Sequence, residues 1–321
     1  MNNRIVVITG ANSGIGKAAA KQFAKEGHTV IMACRNIEVS RKTQEEIVTS
    51  TNNTQVDLMK LDVSSFESMY QFADEFMSKY EKLDILIHNA AYFNHGAKHT
   101  LSTDGIELTF ATNVVGPYLL TNLLLDHLKK SDDARILHAG SNIIKHFFDP
   151  KREIDFDNLT GEYKSSEKFT VYKMYCQSKM ALVMLTFKMA EEYESEGIKV
   201  NALQINGAKM SKETLQKVTL GYRMVASIQN LFFRQPSYMA NNYYELCTSD
   251  RFKDKTGKLF NDKLDVMTPA LAESQGFLEE IKQVTGTNKY PAYAQKKVVR
   301  EKVWELCKEL TESNSNNHNI L

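Results

Sequence analysis

Cysteine is sparse in this chain and its placement is uninformative for cross-linking. The four present among 321 residues, Cys34, Cys176, Cys247 and Cys307, lie far apart and form no C-x-x-C pair. That excludes a disulfide framework or a thiolate zinc site and fits a reducing compartment. Long apolar runs are missing as well. None approaches the ~18 residues that span a bilayer, so no integral membrane segment is expected. No leader-like stretch precedes the first apolar run, which makes the cytoplasm the expected location. Nor is there an excess of one charge. Lys and Arg total 40 against 39 Asp and Glu, and the two signs mostly interleave, as on solvated helix faces. Without a basic patch, nucleic acid is not an expected partner. No internal repeat is present. His95 and His99 have the spacing of a metal-binding pair, but Gly96 lies between them and no third ligand accompanies them, so no metal is expected.

What the chain does have is alternation. Its 42% hydrophobic content suffices for a substantial core. Short continuous apolar runs at 4–9, 28–34, 55–61, 83–88, 135–139 and 199–205 read as strands. Amphipathic helices are expected near 15–26, 39–50, 66–80, 105–129 and 172–194. Strands of this kind need cover on both faces, which predicts an α/β fold with a parallel sheet between helices. Residues 255–260 form a candidate last strand and 292–310 a terminal amphipathic helix bearing the single tryptophan, Trp304. A polar, frayed tail is expected over 311–321. The chain thus reads as one domain over 1–310 followed by that tail.

Between the first strand and first helix stands Thr9-Gly10-Ala11-Asn12-Ser13-Gly14-Ile15-Gly16. A glycine turn there lets a backbone approach a pyrophosphate and offer it the N–H groups of a helix N-terminus. At the end of the second strand, where a carboxylate would hold a ribose 2′-hydroxyl, the chain has Arg35 beside Asn36. A guanidinium grips a 2′-phosphate with two parallel hydrogen bonds, so the sequence favours NADP(H). Asn12 and Ser13 are additional donors to that phosphate. Asp62-Val63 after the third strand either holds the adenine or, through Asp62, caps the next helix.

Tyr175-Cys176-Gln177-Ser178-Lys179 sets a phenol and an ammonium one helical turn apart on one face. The ammonium favours the phenolate, which suits acid–base work near neutrality. With 14 tyrosines, such a spacing arises about once by chance; its place downstream of the glycine turn gives it weight. Three features lie between. Asn89-Ala90-Ala91 ends the fourth strand, where small residues let the chain pass close to a cofactor. Asn113, an amide in an apolar helix, marks a kink or an ordered water. Ser141 follows the fifth strand, placed to donate to a carbonyl oxygen beside the tyrosine.

Together these residues resemble the short-chain dehydrogenase/reductase family, with specific motifs from Arg4 to about Ser211 and a looser likeness to Trp304. The resemblance implies a doubly wound Rossmann sheet and a tetrad of Asn113, Ser141, Tyr175 and Lys179. It makes Tyr175 the acid–base group and Ser141 the residue that polarises the substrate oxygen. Lys179 would hold the nicotinamide ribose, and Asn113 would anchor a relay water. The strand end Ala33-Cys34-Arg35-Asn36 and the long stretch between Ser141 and Tyr175 further resemble the retinol dehydrogenase and protochlorophyllide reductase branch. Two positions depart from the family pattern: Ala91 replaces a glycine and Asn206 a proline. Ser211 stands where the family's carboxamide-binding threonine falls.

The expected substrate is a small carbonyl compound or its alcohol, mainly apolar. Residues 142–174 and 208–255 would supply its wall and lid, with Phe147, Phe148, Phe169, Tyr222, Met224, Leu231 and Phe232 as lining. The alternative places those aromatics in the core or at a subunit interface. A second functional alternative is a protein that binds NADP(H) as a sensor or scaffold without turnover. Homo-oligomers are common in the family.

Overall fold

The computed structural model describes residues 3–94, 96–165, 168–207, 234–271 and 286–318. The chain runs β1 (Ile5–Thr9), α1 (Gly14–Lys25), β2 (Thr29–Cys34), α2 (Ile37–Thr51), β3 (Val56–Lys60), α3 (Phe66–Lys79) and β4 (Ile85–His88). The helical stretch that follows is divided into α4 (Leu108–Phe110), a π-helical turn (Ala111–Val115), α5 (Gly116–Leu123) and α6 (Leu125–Lys129). Then come β5 (Arg135–Ser141), α7 (Val171–Glu192), β6 (Lys199–Ile205), α8 (Pro236–Thr248), β7 (Lys258–Phe260), the short strands β8 (Thr268–Pro269) and β9 (Lys289–Tyr290), and α9 (Lys297–His318).

The first seven strands form one sheet in the order β3-β2-β1-β4-β5-β6-β7, every pair parallel. This is the expected doubly wound sheet. Val6, Val7 and Ile8 are fully buried because the strand is covered on both sides. Val7, Ile31, Leu86 and Ile136 point into the core shared with α3, α5 and α7. Val6, Ile8, Val30 and Ile87 point into the core shared with α1 and α8. The strand order reverses direction between β1 and β4, and a crevice opens at the carboxyl ends of the strands there, the usual ligand position in such sheets.

Three expectations change. Helix α9 does not stop near residue 310 but continues to His318; Thr311 is buried and its hydroxyl donates to the Cys307 carbonyl at 2.9 Å. Residues 208–255 are not all lid. Residues 208–233 lie outside the described residues, but α8 buries Met239, Tyr243 and Leu246 beside Phe23 of α1 and so belongs to the core. Phe147, read from sequence as substrate wall or alternatively as core, is buried and stacks on Tyr293 at 5.1 Å.

Candidate active site

The glycine turn is built for close approach. Gly10 and Gly14 both have positive φ, +66° and +54°, a region that a Cβ disfavours. The Gly10 amide donates to the Ala33 carbonyl at 2.8 Å, tying the turn to the end of β2. A side chain at Gly16 would run into the Gly10 carbonyl and the Asn89 amide. The N-cap residue of α1, Ser13, makes no side-chain cap. The first N–H groups of α1 therefore stay available to an anion.

Asn89 is the pin between this turn and β4. Its Nδ2 donates to the Thr9 carbonyl at 2.9 Å, and its Oδ1 accepts from the Tyr243 hydroxyl at 3.3 Å. The Thr9 hydroxyl accepts from the amides of Asn89 (3.0 Å) and Ala90 (2.9 Å). The part played by the Thr9 hydroxyl and by Tyr243 is not legible in sequence, because it depends on contacts across 80 and 154 positions.

A cleft of about 470 Å³ runs along the turn, lined by Gly10, Asn12, Ser13, Arg35, Asn36, Asp62, Val63, Asn89, Ala90 and Ala91. Arg35 is exposed at its rim. The Asn36 side chain accepts from the Val39 amide at 3.0 Å, so it also caps α2. The choice left open at Asp62 resolves against capping: Ser65 is the cap of α3, accepting from the Ser68 amide. The Asp62 carboxylate instead accepts from the Ser64 hydroxyl at 2.6 Å and faces onto the cleft's lining. Ile15 packs against the core from α1. The cradle fits a dinucleotide, with room along the backbone where a Cβ would collide.

The four sequence-selected polar residues come from three elements, the helical stretch after β4, the end of β5 and α7. Asn113 sits in the π-helical turn, a local widening of the helix often found at functional sites. Its Oδ1 accepts from the Tyr92 amide at 2.8 Å, and its Nδ2 donates to the Ser178 hydroxyl at 3.0 Å and the Tyr92 carbonyl at 3.2 Å. The amide thus finds its partners where the helix departs from α geometry. Gly116, just after it, lies so close to the Val63 carbonyl that no side chain would fit. Ser141 ends β5 and caps the following 3-10 turn, accepting from the Ile143 amide at 3.3 Å. Tyr175 and Lys179 lie on one face of α7, with the Lys179 Nζ 5.8 Å from the Tyr175 ring centre. Ser211 lies outside the described residues, as does His95; the Asn206 side chain, just after β6, accepts from the Gln204 side-chain amide at 3.2 Å. Among the described residues no group of three or more His, Cys, Asp or Glu could hold a metal.

Lys179 is buried, and its Nζ donates to the Ala139 carbonyl at 2.8 Å. Burial pulls its pKa down to about 8 from the ordinary 10.5. Between those values the unfolded chain binds the extra proton, so stability rises with pH. Below pH 8 the buried charge costs about 3 kcal/mol. We expect the ligand-free protein to gain about 2 kcal/mol between pH 7 and 9.5 relative to Lys179→Met, read by denaturant unfolding of both. An equal pH response in the two proteins contradicts this.

Beneath Lys179 lie two residues that sequence inspection did not select. His88 and His138, register partners on β4 and β5, stack with ring centres 5.0 Å apart. Both are buried, which lowers His88 to about 3 and His138 well below its ordinary value. They are therefore neutral. The Thr186 hydroxyl donates to the Leu182 carbonyl, so the His138 Nδ1–H donates to Thr186 at 2.8 Å and its tautomer is fixed.

The chain is similar to known proteins in sequence and in fold. A profile of the family described as short chain dehydrogenase matches residues 4–147. Mouse retinol dehydrogenase 13 is 34% identical, over 80% of this chain and 75% of its own. The chloroplastic short-chain dehydrogenase TIC 32 A of Brassica napus is 33% identical, over 82% and 81%. A short chain dehydrogenase of Escherichia coli CFT073, solved with NADPH, shares 25% identity and a TM-score of 0.63, covering 82% of this chain and 98% of its own. Among the described residues, no helix is long and apolar enough to cross a membrane.

Proposed function

Since the chain belongs to the short-chain dehydrogenase family, we propose that it is an NADP(H)-dependent oxidoreductase interconverting an aldehyde or ketone and its alcohol, on a mainly apolar small molecule. The observation that supports this reading is that the glycine turn, Arg35, Asn89 and Ser141 stand at the carboxyl ends of neighbouring parallel strands, with Lys179 of α7 anchored on the Ala139 carbonyl of β5.

The chain's own residues divide the work. The α1 N-terminus and the turn amides take the pyrophosphate, Arg35 with Asn12 and Ser13 takes the 2′-phosphate, and Asp62 with Val63 borders the adenine. When bound, the reduced nicotinamide supplies the hydride that the carbonyl carbon receives. Tyr175 donates its phenolic proton to the carbonyl oxygen and recovers a proton in the reverse direction. Ser141 donates a hydrogen bond to that oxygen and fixes its position. Lys179, held on the Ala139 carbonyl, keeps a positive field near the phenol and favours its ionised form. Asn113 locks Tyr92 to Ser178, setting the turn of α7 from which Tyr175 projects.

The test is NADPH oxidation over a panel of apolar aldehydes and ketones. Turnover with NADPH and little with NADH is expected. Arg35→Asp should weaken NADPH binding by about 10- to 100-fold, the loss of a charge-assisted pair plus repulsion of the phosphate. It should leave NADH binding comparatively intact. Unchanged selectivity removes Arg35 from the phosphate site. NADPH binding with no turnover on any carbonyl favours a sensor or scaffold.

A further inference from the structure

One aromatic side chain sits on the proposed acid–base residue and has no part in the roles above. The Phe93 ring lies 4.7 Å, centre to centre, from the Tyr175 ring at an interplanar angle of 43°. Phe93 is nevertheless 39% exposed, so one edge of the contact faces outward. An exposed phenylalanine is unremarkable alone. This one is held in place by the same amide that positions the α7 helix. Asn113 grips the neighbouring Tyr92 through both its N–H and its C=O. The other partner of the Asn113 amide, Ser178, donates onward to the Tyr175 carbonyl at 3.0 Å. The loop bearing Phe93 and the helix turn bearing Tyr175 are therefore fixed to one another through a single side chain. A second aromatic, Tyr172, stands one turn before Tyr175 on the same helix face and is 47% exposed. Its ring meets the His146 ring edge-on at 6.0 Å.

Flat apolar faces held rigidly beside a proton donor lose little entropy when a flat group lies against them. Aromatic rings also prefer offset or edge contacts with other π-systems beyond simple burial. We propose that Phe93 is a specificity-determining residue for the reaction, selecting carbonyl compounds whose carbonyl is attached directly to an aromatic ring. Such a ring rests on Phe93 while the carbonyl oxygen meets Tyr175. A saturated ring of the same size is thicker and has no π-face, so it makes the poorer contact. This inference rests on the carbonyl-reduction reading of the same site.

The experiment compares benzaldehyde with cyclohexanecarbaldehyde, both with NADPH, in the unaltered protein, Phe93→Leu, Phe93→Trp and Tyr175→Phe. The unaltered protein should prefer benzaldehyde. Phe93→Leu should lower that preference, as the ratio of kcat/KM values, by about 3- to 10-fold, mostly through KM for benzaldehyde. Phe93→Trp, which keeps a flat face, should retain the preference, which a merely structural role for Phe93 does not require. Tyr175-dependent turnover with an unchanged ratio in Phe93→Leu, or an equal loss on both aldehydes, overturns the role of Phe93 and leaves the reduction reading standing. Failure of the unaltered protein to reduce either aldehyde while binding NADPH overturns both.

Discussion

Tyr175→Phe is expected to lower kcat for carbonyl reduction by about 10²- to 10⁴-fold, the usual contribution of a positioned acid–base group, while NADPH binds nearly as before. The substitution removes one oxygen and keeps the ring that packs on Phe93. Lys179 does not rely on the phenol for its place, because its ammonium is anchored on the Ala139 carbonyl. The cradle at Gly10–Gly16 is attached to β2 and β4 through Ala33 and Asn89, not to α7. Loss should therefore fall on turnover and spare affinity, a division measured by steady-state NADPH oxidation beside a fluorescence titration of NADPH. Activity close to that of the unaltered protein would remove Tyr175 from the chemistry. Equal loss of NADPH affinity would show that the exchange disturbed the site as a whole.

The second large effect is expected at Gly16. An alanine there sets its methyl against the Gly10 carbonyl and the Asn89 amide, both already committed to holding the turn. The carbonyl is backbone, and the Asn89 amide, though the end of a side chain, is held on the Thr9 carbonyl at 2.9 Å. Overpacking of this kind typically costs about 1–3 kcal/mol, so thermal unfolding should shift down by several degrees. Because the displaced atoms belong to the proposed pyrophosphate cradle, NADPH affinity should fall by about tenfold or more. Gly14→Asn is the companion variant. A Cβ at Gly14 meets nothing within 4 Å, and the obstacle is the φ of +54° alone, which asparagine tolerates better than most residues. It should be the milder of the two in both Tm and affinity. The reverse order would mean that the close approach at Gly16 does not shape the site.

Much of this arrangement can be read from the chain because the informative contacts are local or periodic. The strand β6 falls where a continuous apolar run places it, and the glycine turn joins a strand to a helix as its spacing requires. Asn113 could be flagged because a lone amide in an apolar helix must find partners. That its partners are Tyr92 and Ser178, and that the helix takes a π-helical turn there, depends on chain segments 21 and 65 positions away. The stacked His88 and His138 illustrate the same limit. Each looks like an ordinary strand residue until the pairing of β4 with β5 brings them together. Two misassignments have simpler causes. The run of Ser and Asn after Thr311 looks like a frayed end by composition, yet α9 continues through it. In α8, Met239, Tyr243 and Leu246 already carry helical spacing of large apolar residues, and that periodicity marks a core helix better than position after the last site motif marks a lid.

The burial of all four thiols gives the molecule a set of built-in reporters of its own breathing. Cys34 lies in β2, Cys176 in α7, Cys247 in α8 and Cys307 in α9, and every one is buried. Burial raises each thiol, Cys176 and Cys247 to about 12, so little reactive thiolate exists in the closed structure. A thiol reagent can modify them only when the surrounding element opens. Labelling rates followed by mass spectrometry would then report the opening free energies of four separate elements in one experiment. Repeated with NADPH present, the same labelling would separate elements braced by the cofactor from those that open independently of it. Cys34, one residue before Arg35, should be slowed most, and Cys307, in the terminal helix, least.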